Sequence, residues 1–393
     1  MKTIILLAIL APLAAAHATS DVTWYGAIPG DSADDAAAIN AAIAALPQSG
    51  GSVNFPSGQY IISSRITVAR PAVRLVSSGG AIVMAAPGSA MTEMFYFTPL
   101  ARGFSISGLV FDGNRKRTGT RGSTCIGVQA SDFSIESVEV RECDFIGIGF
   151  WNESSSGTLN KVWVHDNGSN GHGQGYGIHG FAGQPSVIRP TGIVIQSSRI
   201  ERNYNLAANP SGFSRYGAAI CADIYNLVLR DSYIADNFNV GGQVVDCGPA
   251  PTRPRNWRLY DNRVELTSAD LGTTGGFEHN SSGLIASGNS FKGLYYGLAV
   301  SSVNAAVSGV SVSNNRFESI LHHAVWLIGA SSPNTLRGVS VVGNHFKSVG
   351  DCIRFDTGSE SHTRILMNDF TEAVGPIYSG SGQGTQAAYN IPN

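Results

Sequence analysis

Residues 164–181 read VHDNGSNGHGQGYGIHGF and place His165, His172 and His179 at intervals of seven, with Tyr176 and six glycines among them. An imidazole moves protons near neutral pH and also ligates metals. A spacing of seven fits no compact metal-ligand motif, so proton transfer is the chemistry these residues suit better. Tyr176 lies three residues before His179, and Arg215-Tyr216 opens a later apolar segment. Brought together, these groups can take a proton from a carbon beside a carboxylate. The guanidinium balances the carboxylate and acidifies the proton, imidazole or phenol accepts it, and a phenol protonates the departing oxygen. The plainer alternative is that His179 is one more polar residue on a surface strand. A second constellation is acidic. Asp223, Asp246 and Glu278 fall at or just past the ends of successive apolar segments. On stacked strands, neighbours among them would stand ~5 Å apart and the outer pair ~10 Å, separations that serve glycosidases. Ordinary turn aspartates are the alternative there.

The elements that position these residues recur. Short apolar strands read GLVFD (108–112), SVEVR (137–141), KVWVH (161–165), GIVIQ (192–196), NLVLR (226–230), NWRLY (256–260), GLIAS (283–287), GVSVS (309–313), GVSVV (338–342) and RILMN (364–368), with starts 24 to 34 residues apart. Each alternates inward and outward side chains. Several are followed by Asn-x-Phe: Asn289-Phe291, Asn315-Phe317, Asn344-Phe346 and Asn368-Phe370. An Asn at the same bend of every coil bonds its stacked neighbours, while the Phe fills the interior. Antiparallel sandwiches need no such register. The pattern predicts an all-β protein, a single right-handed parallel β-helix of about ten or more coils, repeating over 104–380 within a domain of 19–393. Residues 31–47, DSADDAAAINAAIAALP, predict a short helix with Ser32 and Asp35 in capping-box spacing and Ile39, Ile43 and Leu46 on one face. Within a cap region of 19–70, that helix covers the open end of the solenoid.

The stretch WYGAIPGDSADDAAAINAAIAALPQSGGSVNFPSGQYIIS (24–63) resembles the opening of the pectate-lyase-type β-helix superfamily. That superfamily includes polygalacturonases, rhamnogalacturonases, sugar-polymer epimerases and phage tailspikes. GLVFDGNR with SVEVRE is similar to the mannuronan C5-epimerase modules. The resemblance implies a polysaccharide substrate lying along the outer face of one sheet. It also admits calcium held by loop carboxylates, though no resident cofactor is otherwise expected. It does not carry the epimerase site over. Where that family has Tyr-Gly-Phe-Asp-Pro-His, this chain has Ile148, Trp151 and Glu153 at the Tyr, Asp and His positions, and its Tyr-Gly-x-His comes one coil later. The polygalacturonase pattern is absent too: Asn-Thr-Asp is missing, GDCI (350–353) has one Asp where two are expected, and GHG (171–173) is misplaced.

Aligned on their glycines, the second strands of the repeats are GIGFW (147–151), GIHGF (177–181), GAAIC (217–221), GGQVV (241–245), GFEHN (276–280), GLAVS (297–301), AVWLI (324–328) and CIRFD (352–356). Their middle residues, Gly149, His179, Ala219, Gln243, Glu278, Ala299, Trp326 and Arg354, are expected to point outward. Gly149 and Ala219 would leave His179 standing in a hollow. Gln243 and Arg354 are candidate substrate contacts, and Trp151, Phe181 and Trp326 candidate sugar-stacking rings. The loops 166–174 and 203–215 are expected to wall a groove over residues 176–280 with His179 on its floor. Together these readings favour a polysaccharide lyase acting on a uronate polymer by β-elimination. A glycoside hydrolase using two of Asp223, Asp246 and Glu278, or a β-helix that only binds glycans, are the alternatives.

The ends and the composition bound the rest. An apolar run after Met1-Lys2-Thr3, closing at Ala16-His17-Ala18, has the layout of a signal peptide of residues 1–18 and predicts secretion. No later segment reads as a membrane span. A net charge of −2 provides no basic field for nucleic acid. Five cysteines leave one unpaired, with Cys221–Cys247 on adjacent coils and Cys125–Cys143 as candidate bridges. Asn152, Asn167 and Asn280 begin glycosylation sequons.

Overall fold

The computed structural model describes residues 18–114, 123–168, 174–180, 188–203, 216–237, 241–248, 255–267, 273–303, 305–329, 335–356, 360–380, 385–388 and 390–391. The expected signal peptide lies almost wholly outside them. Among these residues two parallel sheets run along the stacked coils, one of 12 strands and one of 25. Coils stack strand on strand, as in Ile146–Phe150 against Gln174–Gly180 and that strand against Tyr216–Ala222. The architecture is the expected right-handed parallel β-helix.

The larger sheet receives two strands from most coils where the sequence pattern showed one. The coil through Ile146–Phe150 continues with Thr158–Asn160 and then Trp163–His165. The next continues with Val194–Gln196 and Arg199–Glu201. The recurring strand of the sequence pattern therefore mixes two structural positions. Corners separate them in the left-handed region, at Ser156, Lys161 and Asp166 in one coil and at Ser197 and Arg202 in the next, with φ between 49° and 54°. Such corners favour Asn, Asp and Gly. Here Lys161 and Arg202 are tolerated because each backbone N–H donates to the coil above, to Gln196 O at 3.2 Å and Ala235 O at 3.1 Å.

The interior is held by stacked rings and stacked amides. Phe291, Phe317, Phe346 and Phe370 are fully buried, with successive centroids 4.9, 5.2 and 5.0 Å apart. Asn289, Asn315, Asn344 and Asn368 form a buried ladder in which each side-chain carbonyl accepts from the Asn of the coil below. The ladder extends back through Asn262, Ser232 and Ser198, two of its rungs carried by hydroxyls. Asn315 also donates to Ala286 O at 2.9 Å. Replacing Asn315 by alanine removes the side-chain acceptor of the Asn289 backbone N–H and the amide donor to Ala286 O in a dry core. The expected loss is about 1–3 kcal/mol of stability, read as a lower midpoint in chemical denaturation.

The N-terminal helix spans Ala36–Ala44, with Ile39, Ile43 and Leu46 buried against the first coils as expected. Its capping differs from the capping-box expectation. Asp34 Oδ1 accepts the Ala36 N–H. Asp35 instead ties the cap to the coil, accepting from the backbones of Ile28 and Ile61. The helix packs against Thr19–Asp21 and Ile66–Val68, edge strands of the two sheets. Both expected disulfides are present, Cys125–Cys143 and Cys221–Cys247, and Cys352 is buried and free.

Candidate functional site

The 12-strand sheet carries the candidate site on its outer face, and its local geometry departs from simple alternation. In several of its strands two consecutive residues face the core, the first small and the second branched. They are Gly177-Ile178, Gly297-Leu298, Ala324-Val325 and Cys352-Ile353. A Cβ on Gly177 would lie 2.8 Å from Asn203 Nδ2, and one on Gly297 would lie 2.5 Å from Phe317 Cδ1. The ladders therefore require a small residue at that point. The consequence is that outward side chains sit three residues apart, so Tyr176 pairs with His179 and His323 with Trp326.

This geometry corrects the glycine-based alignment. His179 lies beside Gly149 and Cys221, and the column continues through Val245, Glu278, Ala299, Trp326 and Arg354. Ala219 and Gln243 face the core instead, at the position that Gly177 and Gly297 occupy in their strands. Gln243 is fully buried: its carbonyl accepts from Asn237 and its amide donates to Glu265 O. It ends a second amide ladder that climbs through Asn167, Asn203 and Asn237. Gln243 is thus a core residue rather than a substrate contact, and Asn167 is buried in the same ladder, away from glycosylation.

Around His179 the face is aromatic. The Tyr176 and His179 rings lie 4.9 Å apart, tilted by 30°, and Tyr176 packs edge-on against Phe145 at 5.7 Å. Both Tyr176 and His179 are half-buried. Burial pushes the His179 imidazole down to about 4 and the Tyr176 phenol upward. Both groups are therefore neutral at pH 7, one an available base and the other an available acid. Trp151 lies across Gly127 and Gly149: a Cβ on either glycine would fall 2.7–2.8 Å from its indole. The ring so occupies the outer face next to His179. The Cys221–Cys247 disulfide sits on the opposite side, directly across the ladder from His179. Tyr216 pairs in register with Gln174. The side chain of Tyr216, along with Arg215, Phe181, His172 and most of both expected wall loops, lies outside the described residues.

The acidic constellation is rearranged. Asp223 and Asp246 are each 2% exposed and share one fully buried guanidinium, Arg255, at 2.9 and 2.6 Å. Arg189 holds the second oxygen of Asp223 at 2.6 Å. Burial raises Asp246 to about 6, against the pull of Arg255. His279, also buried, stands 3.7 Å from Asp246 and is pushed down to about 3 by burial, with Arg255 adding to the shift. These are interior ion pairs at the turn, not an open carboxylate pair facing substrate. Glu278 alone of the three stands on the outer face, partly exposed, accepting from Tyr296 at 3.2 Å. Sequence reasoning passed over Arg189, Arg255 and His279 because nothing in their spacing joins them. It passed over Tyr296, His323 and Asp351 because strict alternation assigns them to the wrong face.

His165 lies on the larger sheet, stacked on Trp163 at 3.9 Å and bonded to Asp166 at 2.6 Å and Glu139 at 3.2 Å. It is therefore on a different sheet from His179. Among the described residues no group of three or more His, Cys, Asp or Glu gathers as a metal site, and no helix is long and apolar enough to cross a membrane.

The right-handed parallel β-helix is a fold shared by known proteins, and the comparisons show which ones this chain is similar to. Residues 20–207 match the family described as rhamnogalacturonase A/epimerase, pectate lyase-like. The A-module of the Azotobacter vinelandii mannuronan C-5 epimerase AlgE6 superposes with a TM-score of 0.61 at 15% identity, over 95% of this chain and 99% of that one. An exopolygalacturonase from Thermotoga maritima gives 0.56 at 11% identity, over 96% and 92%. An alginate lyase from Paenibacillus sp. str. FPU-7 gives 0.50 at 14%, over 83% and 97%. No curated protein sequence matches the chain significantly. The family match covers just under half of the chain, and the solved structures extend the likeness to the parallel β-helix fold over its whole length. At these identities the likeness to solved structures concerns the fold and leaves the reaction open.

Proposed function

We propose that the protein is a carbohydrate-active enzyme that cleaves a uronate-containing polysaccharide by β-elimination, with His179 and Tyr176 as the proton-transfer pair. One observation carries this reading: a neutral imidazole and a neutral phenol lie 4.9 Å apart on the outer face of the sheet. His179 takes the C5 proton, the electron pair of that C–H bond becomes the C4–C5 double bond, and the C4–O bond breaks. Tyr176 then protonates the departing oxygen. Arg215, just before the strand that pairs with Gln174–Gly180, is assigned to balance the uronate carboxylate, and Tyr216 to the same neighbourhood. Trp151 and Phe181 are assigned to stack sugar rings. These proton transfers need no resident cofactor. Export fits the N-terminal segment and the two disulfides, which persist in oxidising compartments.

The test is a screen of alginate, pectate, glycosaminoglycans and neutral glycans. Elimination yields products with the ultraviolet absorbance of a new conjugated double bond. New reducing ends without that absorbance would point to hydrolysis and overturn the elimination reading. Inertness on every polymer, with retention on one, would point to a glycan-binding β-helix.

A further inference from the structure

The same face carries a second cluster, toward the C-terminal end, that the step at His179 does not use. Trp326 is its centre. The indole N–H donates to Asp356 at 2.8 Å, and the other oxygen of Asp356 accepts from Arg354 Nε at 2.6 Å. Tyr296 meets the indole edge-on at 5.7 Å, and His323 lies 5.1 Å away. The ring is thus locked in orientation while half-exposed. Two carboxylates flank it, each anchored through one oxygen only. Glu278 Oε2 accepts from Tyr296, and Asp351 Oδ2 holds His323 at 3.0 Å and the Ser379 hydroxyl at 2.6 Å. Their second oxygens take no bond from the described residues. Burial lowers His323 below its ordinary value and keeps Tyr296 protonated. Three carboxylates therefore face one guanidinium, and the patch is net negative at neutral pH.

An oriented aromatic ring beside carboxylate oxygens that take no bond from the described residues suits a ring with an apolar face and hydroxyl donors at its edge. The negative charge opposes a uronate. We infer that Trp326, Glu278 and Asp351 form a second carbohydrate site, specific for an uncharged sugar residue. It stands on its own geometry and does not require the step at His179. Trp326 lies five coils beyond His179 in one outward column, about 24 Å along the face. Joined to the proposed function, and resting on it, this makes the substrate a heteropolymer in which uronates and uncharged sugars occur on one chain.

The test uses the full-length His179→Ala variant, so that nothing is consumed. Xylohexaose, mannohexaose, galactohexaose and trigalacturonate are titrated against it by calorimetry and tryptophan fluorescence. The expected result is saturable binding of at least one uncharged hexaose that changes the fluorescence, with the trigalacturonate leaving the Trp326 signal unmoved. Trp326→Phe removes that signal and weakens binding about five- to ten-fold, the loss expected of one stacking surface. Glu278→Gln with Asp351→Asn weakens the same ligand, whereas Trp24→Phe, at a remote exposed indole, preserves the change. Binding that survives Trp326→Phe at full strength overturns the inference, as does no binding by any of the three uncharged hexaoses. Loss of the elimination reading would instead show as full turnover by His179→Ala, so the two failures are distinguishable.

Discussion

If the proposed elimination holds, replacing His179 by alanine is expected to lower turnover on a uronate polymer by about a hundred- to ten-thousand-fold, the range set by loss of a positioned proton acceptor. Tyr176→Phe, which keeps the ring against His179 and Phe145 but removes the proton donor, is expected to fall in the same range. The pH profile gives a sharper reading. The imidazole acts as a base only when neutral, and burial depresses it to about 4. Turnover of the native enzyme should therefore hold as pH falls below the ordinary histidine range and collapse only as pH approaches about 4. The same depression is a stability effect of defined sign. An unfolded chain takes up this proton near the ordinary value of about 6.5, so the folded state is fully favoured above that value and loses the contribution as pH falls through about 4. A variant with unchanged circular dichroism and full turnover would remove His179 from the reaction. An acid limb near neutrality would show that the base is some other group.

Arg255→Ala has the largest expected effect on stability. It removes the guanidinium shared by Asp223 and Asp246 and leaves two carboxylates buried; among the described residues only Asp223 then still faces a cation, Arg189. Removing one partner of a buried ion pair costs about 3–5 kcal/mol. The pH dependence distinguishes this cause from simple loss of packing. Asp246 is already raised to about 6 by burial, with Arg255 opposing the rise. Without Arg255 it rises further, so the variant recovers stability by protonating Asp246 as pH falls and is least stable at high pH. Adding Asp223→Asn and Asp246→Asn should restore a large part of the loss. Equal destabilisation at all pH values, with no recovery in the triple variant, would mean that packing rather than charge dominates at this turn.

Much of the fold was legible from the chain because a stacked coil repeats its demands. Asn289, Asn315, Asn344 and Asn368 with their following phenylalanines announced a register, since each amide and each ring must meet its own kind one coil away. The helix face of Ile39, Ile43 and Leu46 and both disulfide pairings followed from the same local logic. The candidate site was only half legible. His179, Trp151, Glu278, Trp326 and Arg354 were placed on the correct sheet and face, because polar and aromatic residues among small and branched ones mark an outer surface; Tyr176 was grouped with His179 by sequence proximity alone. Gln243 was misplaced because an amide on a strand looks alike whether it meets substrate or completes a buried ladder, and only the coil stacked beside it decides. Asp223 and Asp246 read as a catalytic pair because Arg255 and Arg189 come from different turns, and a sequence does not show which turns stack. Tyr296, His323 and Asp351 were hidden by a double inward step, which exists because the Asn and Phe ladders require a small residue beneath them. Local periodicity thus determined that this protein is a parallel β-helix and roughly which face carries the candidate site. Contact between coils, which are neighbours in space and some thirty residues apart in the chain, decided which polar groups face outward and which are neutralised inside.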